Sequence, residues 1–222
     1  MGAVFAAALV VHILLTDILG CPRCGPAFGL VLQADRIEDR RVVKGVLGCA
    51  NCRHTYPVSA GLADLRATPD EPPLEVAPPD QPADAGERAL RLAALLGITA
   101  GGGSVLLVGG DEELALGVSG LLSGVEVVAA LSGAEGREGE AGEGVSWLAT
   151  GRRLPFRDRA VRGVAVAGRP GPSLVAEGLR VLAPGGRIVV EQTDDTLRHS
   201  LEVAGAGVLL YQEGVMVAGC VG

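Results

Sequence analysis

The chain has 222 residues, a formal net charge of −7 and 48% hydrophobic residues, which is enough for one medium-sized and one small domain. Aromatic residues make up only 3%, which disfavours a base-stacking platform. The net negative charge does not support nucleic acid as a partner, although it leaves one possible. Half of the 26 acidic residues fall between positions 71 and 146. The acidity is therefore concentrated in the middle of the chain.

The chain begins with an apolar stretch, Ala3–Leu15. It is shorter than the roughly 20 residues that a helix needs to span a bilayer. No basic residues precede it, and no small-residue cleavage site follows, as a secretory signal would require. We therefore expect a buried helix or strand here and no membrane span.

Four of the five cysteines form two C-x-x-C pairs, Cys21/Cys24 and Cys49/Cys52. Each pair can direct two thiolates at one ion, and two pairs complete a tetrahedral Zn²⁺ shell with no open position for catalysis. A structural zinc site implies a reducing, cytoplasmic compartment. A redox dithiol or coincidental thiols are the alternatives. Short strands are expected between the pairs, at Phe28–Gln33 and Arg41–Leu47.

The residues around these cysteines resemble the methyltransferase-activator zinc-ribbon family. Leu14–Cys24 is similar to the family's LLDILxCPxC, and Cys49–Leu65 is similar to CxxCxxxYPIxxGIPxLL. The resemblance implies a small subunit that binds methyltransferases acting on tRNA, ribosomal RNA or translation factors, or a ribbon fused to such an enzyme. His54 is interpreted as a surface or second-shell residue, and Cys220 as a small apolar one. We assign residues 1–66 to a zinc-ribbon domain.

Residues 67–86 contain six prolines among Asp, Glu and Ala. Proline at this density disfavours helices and sheet ladders, so a solvated, extended and acidic linker is predicted.

Residues 87–222 alternate strand and helix patterns, which predicts an α/β domain with a mostly parallel sheet. The predicted helices are Glu87–Leu96, Asp111–Leu122, Leu174–Leu182 and Asp195–Ala204. The predicted strands are Val105–Val108, Val125–Ala130, Val145–Leu148, Val161–Ala167, Arg187–Glu191, Val208–Gln212 and Val215–Ala218, the last two as an antiparallel hairpin. The glycine-rich segment Leu131–Gly144 lacks apolar periodicity and is predicted to be a loop.

This part resembles the class I S-adenosylmethionine-dependent methyltransferases. Leu154–Asp158 is similar to their LPFxD, and Glu177–Val190 is similar to ExxRVLxPGGxxVV. The resemblance implies a Rossmann-like fold and a cofactor at the turn after the first strand, at Gly109, Gly110 and Asp111. The fold class is therefore α/β: a small zinc ribbon followed by a Rossmann-like, mostly parallel sheet with a C-terminal antiparallel hairpin.

Several positions that hold the cofactor in that family have no acidic side chain in this chain. Leu107 stands where the family carries an acid before the turn, and Ala129–Leu131 offers no carboxylate for the ribose. Ala149–Gly151 offers none for the adenine, and Arg162 replaces an Asp at the fourth strand. Meanwhile Asp111, Glu112 and Glu113 put negative charge at the turn. Each missing partner costs about 1–3 kcal/mol, which predicts that affinity for S-adenosylmethionine is lost.

Arg152, Arg153, Arg157, Arg159 and Arg162 cluster around one loop. They indicate either a patch for phosphate or an acidic partner, or a solvated rim that balances the acidic linker and the Leu131–Gly144 loop; the second interpretation is preferred here. No catalytic residues are assigned.

The leading hypothesis is a non-catalytic adaptor that binds a methyltransferase or a translation component. The alternatives are an active S-adenosylmethionine-dependent methyltransferase acting on RNA or protein, and a regulatory domain that binds another small ligand at Gly109–Asp111.

Overall fold

The structure is a computed structural model that describes residues 11–72, 74, 76–80, 84–98, 101–131, 144–203 and 205–220. Only the end of the apolar stretch at the beginning of the chain lies within the described residues. There Val11 is buried in a short strand, and Leu15 is buried in the 3₁₀ helix that follows. The prediction of a buried element is confirmed for these residues, and residues 3–10 lie outside the described part.

The N-terminal part is an antiparallel β-structure, as expected for a ribbon. The predicted strands Phe28–Gln33 and Arg41–Leu47 form the middle of a longer hairpin. Its elements are β1 (Val11–His12), the 3₁₀ helix (Ile13–Asp17), β2 (Gly20–Cys21), β3 (Gly25–Glu38), β4 (Arg41–Cys49), β5 (Thr55–Ser59) and β6 (Leu62–Leu65).

The remainder is an α/β fold, and all four predicted helices are found within a few residues of their expected bounds. Asp84 caps the first helix by accepting a hydrogen bond from the Glu87 N–H, and Gly97 ends it with a φ of 67°. The elements are β7 (Val76–Ala77), α1 (Ala85–Leu96), β8 (Ser104–Gly109), α2 (Glu112–Leu121), β9 (Glu126–Leu131), β10 (Val145–Thr150), β11 (Val161–Ala167), β12 (Arg169–Pro170), α3 (Pro172–Val181), β13 (Leu182–Val190), α4 (Asp195–Val203), β14 (Ala206–Gln212) and β15 (Val215–Cys220).

One sheet runs through most of the described chain, in the order β14-β15-β13-β11-β8-β9-β10-β6-β5-β4-β3-β2, with β1 beside β4. The strands from β13 to β6 in this order are parallel, whereas β15 is antiparallel to both β13 and β14. The predicted terminal hairpin is therefore confirmed, and Glu213 and Gly214 supply the two positive φ angles of its turn. The strand order reverses direction between β8 and β11, where doubly wound sheets bind ligands at the carboxyl ends of the strands.

The ribbon and the α/β part meet edge to edge through β6 and β10, which pair in parallel from Leu62 opposite Trp147 to Leu65 opposite Thr150. A bidentate ion pair from Arg41 to Glu126, at 2.9 and 3.1 Å, joins β4 to β9 beside this seam. Buried residues of both parts also belong to one continuous apolar cluster on one face of the sheet. The two parts therefore share a sheet and a core, while the predicted boundaries at 66/67 and 86/87 stay predictions.

Residues 132–143, most of the predicted Leu131–Gly144 loop, lie outside the described residues. Within the described part of the chain, none of the helices has the length and apolarity needed to cross a membrane.

Candidate functional site

The four paired cysteines converge at one end of the ribbon. The Sγ atoms of Cys21, Cys24, Cys49 and Cys52 all lie within 4.8 Å of one another. The Cys21–Cys52 and Cys24–Cys49 sulfur pairs are 3.8 and 3.9 Å apart. Four thiolates at Zn–S distances of about 2.3 Å have sulfur–sulfur edges of about 3.8 Å in a tetrahedron, so the donor set fits Zn²⁺.

Hydrogen bonds favour the thiolate form of the first ligand. The Tyr56 hydroxyl lies 3.3 Å from the Cys21 sulfur, and the backbone N–H of Cys24 donates to it at 3.4 Å. Burial raises the pKa of the Cys21 thiol, but these hydrogen bonds outweigh burial and lower the pKa to about 7. Burial and the adjacent sulfur raise the pKa of the Tyr56 hydroxyl, so it stays protonated and able to donate.

His54 lies outside the thiolate cluster. Its Nδ1 is 3.1 Å from a guanidinium nitrogen of Arg23, and its ring packs edge-on against Tyr56 at 4.8 Å between centroids. Its position agrees with the interpretation of a second-shell residue. The amide of Asn51 donates to the Cys24 sulfur at 3.4 Å, a contact that the sequence did not reveal. Cys220 ends β15, far from the ribbon in the strand order, and its side chain is outside the described residues.

The predicted cofactor turn lies at the switch point of the sheet. Gly109 ends β8 and Gly110 follows it, with φ angles of 74° and 81°, which favour glycine. Asp111 caps α2, because its carboxylate accepts the N–H of Leu114 at 2.9 Å. The turn thus keeps its backbone shape, while its carboxylate occupies the helix N-terminus that could otherwise bind an anionic group.

The segment predicted as a solvated linker crosses this turn instead. Val76 and Ala77 form β7, which pairs antiparallel with β12 directly after β11. A Cβ on Gly109 would lie 3.1 Å from the Cβ of Val76, and the carbonyl of Ala77 leaves no room for a Cβ on Gly168. The linker therefore covers the carboxyl ends of both strands at the switch point. We name residues 71, 72, 74 and 76–80 the linker strap.

Further contacts attach the strap to the end of β10. Leu74 is buried and its N–H donates to the carbonyl of Thr150 at 3.0 Å. The carboxylate of Glu71 accepts the N–H of Arg152 at 3.1 Å and the N–H of Ala67 at 2.6 Å. At the other end, Asp80 pairs with Arg169 at 2.7 Å. The strap runs across β10, β8 and β11 and is held at both ends.

Most of the positions where the family resemblance predicts cofactor-binding acids are apolar and buried in this structure. Leu107, Ala129, Ala130 and Ala149 are each at most 2% exposed. Arg162, in β11, donates to the carbonyl of Gly102 at 2.8 Å at the opposite edge of the sheet. None of these side chains offers a carboxylate to a nucleoside.

A buried ion pair near the turn was missed by sequence reasoning. Arg88 of α1 donates to both carboxylate oxygens of Glu191, which follows β13, at 3.2 and 2.6 Å. The hydrogen bond to Glu191 raises the pKa of the Arg88 guanidinium. In sequence the two residues are 103 positions apart, and nothing in the local pattern of either one indicates the other.

Two motif residues hold a loop rather than a ligand. The Arg180 guanidinium donates to the carbonyls of Leu154 and Phe156, both at 2.8 Å, and to the carboxylates of Glu177 and Asp158. Glu177 also accepts the N–H of Leu154 at 3.0 Å. The LPFxD and ExxR similarities therefore describe one structural unit, in which α3 fixes the loop before β11.

A cavity of about 600 Å³ lies at the amino ends of the strands and includes His12, Ser104 and Glu126 in its lining. It is on the opposite edge of the sheet from Gly109. This cavity therefore does not coincide with the predicted cofactor turn.

Comparison with known proteins gives a family match for the ribbon. Residues 12–61 match the family described as Trm112p-like protein. No curated protein sequence matches the chain.

Among solved structures, the chain is similar to a putative methyltransferase from Bacillus halodurans, with 22% identity over 54% of this chain and 70% of that one, at a TM-score of 0.42. It is also similar to a putative S-adenosyl-L-methionine-dependent methyltransferase from Methanococcus maripaludis, with 13% identity over 61% and 84% of the two chains and a TM-score of 0.45. A third is M. jannaschii TYW2 in complex with AdoMet, with 10% identity over 85% and 90% and a TM-score of 0.40.

The fold and the cysteine cluster define a ribbon with a four-cysteine site that fits zinc, joined to a Rossmann-like α/β part. The ribbon is the part that matches the Trm112p-like family, over residues 12–61, and it forms one sheet with the α/β part of the same chain.

Proposed function

We propose that this protein is a non-catalytic adaptor with a structural zinc ribbon and a degenerate methyltransferase-like part. The observation that carries the proposal is the linker strap, which covers Gly109 and Gly168 where a cofactor would approach the backbone. A ligand at this turn would have to displace Val76 from Gly109 and break the pairing of β7 with β12. In this proposal Gly109, Gly110 and Asp111 have a structural role only: they form the turn between β8 and α2.

The apolar side chains at the former acid positions support the same proposal. Four missing hydrogen-bond partners at about 1–3 kcal/mol each remove about 4–12 kcal/mol from binding. A micromolar ligand binds with about −8 kcal/mol, so this loss leaves an affinity of about millimolar or weaker. Displacing the strap would add to the cost.

As partner we propose a methyltransferase or a component of translation in the cytoplasm, in line with the resemblance of the ribbon. The contacts of β6 restrict how that partner binds. Strand β6 is paired with β5 on one side and with β10 of the same chain on the other, so it cannot accept a strand from a second protein. The partner must therefore bind another surface of the ribbon or of the α/β part.

An active S-adenosylmethionine-dependent methyltransferase is the second candidate. The positive φ angles of Gly109 and Gly110 favour it, since the turn keeps the shape that a cofactor needs. In addition, β7 and β12 pair over only two residues each, a contact that a tight ligand could break.

Calorimetric titration with S-adenosylmethionine tests the two candidates. We expect no binding tighter than about 1 mM to the zinc-loaded protein, and none to the variant Leu74→Gly/Val76→Gly, whose strap is weakened. Pro78→Ala, also in the strap but outside the described contacts with the turn, is the matched control. Micromolar binding to the wild type would establish the enzyme candidate, and micromolar binding only to the double variant would reveal a latent cofactor site; either result contradicts the proposal.

The adaptor role itself is tested by affinity capture with zinc-loaded and chelated protein. Recovery of a methyltransferase or translation component with the zinc-loaded form alone is the expected result. If the zinc-loaded and the chelated protein capture the same proteins, the prediction that partner binding depends on zinc is wrong.

A further inference from the structure

An arginine-rich surface surrounds the zinc-binding end of the ribbon. Arg23 lies within the first cysteine pair, and Arg53 follows the last cysteine. From the α/β part, Arg153 lies beside Gly25, with a guanidinium nitrogen 3.4 Å from where a Cβ would be, and the guanidinium of Arg157 covers Gly29 so closely that a Cβ has no room. Arg152 adjoins Arg153, and all five side chains belong to exposed residues. We name these five residues the arginine surface.

Acidic side chains do not balance this surface within the described part of the chain. None of the ion pairs found there includes any of the five arginines. Two described carboxylates beside it have other partners: Asp158 pairs with Arg180 at 2.9 Å, and Glu71 accepts two backbone N–H groups. The interpretation as a solvated rim stays a prediction, because most of the Leu131–Gly144 loop that it would balance lies outside the described residues.

The zinc centre accounts for only part of the charge. Four thiolates around one Zn²⁺ carry a net charge of about −2, which the nearby Arg23 and Arg53 can offset. Arg152, Arg153 and Arg157 remain in excess by about three charges. A chain with a net charge of −7 thus presents a local positive field on one face, which attracts polyanions.

We propose that the arginine surface binds single-stranded nucleic acid through its phosphates. Arg153 and Arg157 lie against two different positions of the ribbon, Gly25 and Gly29, so more than one guanidinium is available to the same ligand. Several phosphates of one polymer can bind such a group of charges together, whereas a single carboxylate cannot. Guanidinium groups also bind phosphate in bidentate fashion and stack on bases. Phe28, 41% exposed and adjacent to Gly29, adds an aromatic ring.

Fluorescence anisotropy with labelled 12-nucleotide RNA and DNA strands tests this proposal on the full, zinc-loaded chain. Three to five phosphate contacts predict that log K falls against log salt with a slope of about −2 to −3.5. The variant Arg153→Glu/Arg157→Glu is expected to bind at least tenfold more weakly, with a slope shallower by about 1.4. Arg36→Glu/Arg91→Glu changes the net charge equally at one exposed and one half-buried position away from this surface, and it is expected to bind like the wild type.

Two further measurements separate nucleic acid from an acidic protein. Phe28→Ala is expected to weaken binding about tenfold with an unchanged salt slope, because stacking is not electrostatic. Polyglutamate is expected to compete poorly at equal charge concentration. Equal loss in the two charge-reversal variants, no effect of Phe28→Ala, or polyglutamate binding tighter than the oligonucleotides would each overturn the proposal. Comparing the affinities of the RNA and the DNA strand shows which of the two phosphate backbones the arginine surface prefers.

Discussion

At the scale of single residues, the Arg88–Glu191 pair is the most consequential contact. Its two side chains are only 9% and 7% exposed. An isolated charge at such depth is poorly solvated, whereas the bidentate pair satisfies both groups. The pair joins the first helix of the α/β part to the end of β13, beside the predicted cofactor turn.

We expect Arg88→Met to lower the free energy of unfolding by about 3–5 kcal/mol, because it leaves the Glu191 carboxylate buried without a partner. The double variant Arg88→Met/Glu191→Leu should recover most of this loss. Arg91→Met changes a half-buried arginine of the same helix, which forms only a 3.7 Å ion pair with Glu87, and should stay within about 0.5 kcal/mol of the wild type. Urea unfolding measures all three, and a double variant no more stable than Arg88→Met would refute the explanation.

At the scale of elements, the linker strap decides whether the switch point is accessible. Pro-rich composition explains why the described residues between 67 and 84 form no helix and only the two-residue strand β7. It does not predict where the chain runs, because that depends on Leu74 finding a buried position and β7 finding β12.

Gly168→Ala tests whether the position of the strap depends on its contact with Gly168. Gly168 has a φ of 145°, and the carbonyl of Ala77 occupies the space of a Cβ, so the substitution should cost about 1–3 kcal/mol and loosen β7 from β12. Limited proteolysis should then cleave the strap faster than in the wild type. Gly171→Ala is the control, since no atom lies within 4 Å of its Cβ position. Equal cleavage of both variants would show that the strap does not depend on this contact.

At the scale of the whole molecule, the seam between β6 and β10 makes the ribbon part of the α/β sheet. Trp147, the one tryptophan of the sequence, is opposite Leu62 at this seam and 1% exposed. A ribbon of this size depends on its metal for much of its folding free energy. Loss of the metal should therefore unfold β6 and change the surroundings of Trp147, which is paired opposite β6.

We expect Cys49→Ala to abolish stoichiometric zinc binding, shift Trp147 emission to longer wavelength and lower the free energy of unfolding by more than about 3 kcal/mol. Cys220→Ala alters the cysteine outside the cluster and should leave zinc content and emission unchanged. Metal analysis, fluorescence and thermal melting provide the readouts. An unchanged emission spectrum in zinc-free Cys49→Ala would mean that the two parts fold independently.

The sequence by itself determined the features that depend on local chemistry. Paired cysteine spacing predicted the thiolate cluster, and capping residues with apolar periodicity predicted the helices and most strands, because short-range geometry sets both. Tertiary structure alone decided the pairing of β6 with β10, the path of the linker strap, the Arg88–Glu191 pair and the grouping of arginines from both parts around the zinc ribbon. These contacts join residues far apart in the chain, and their free energy comes from burial and charge pairing that no local pattern encodes.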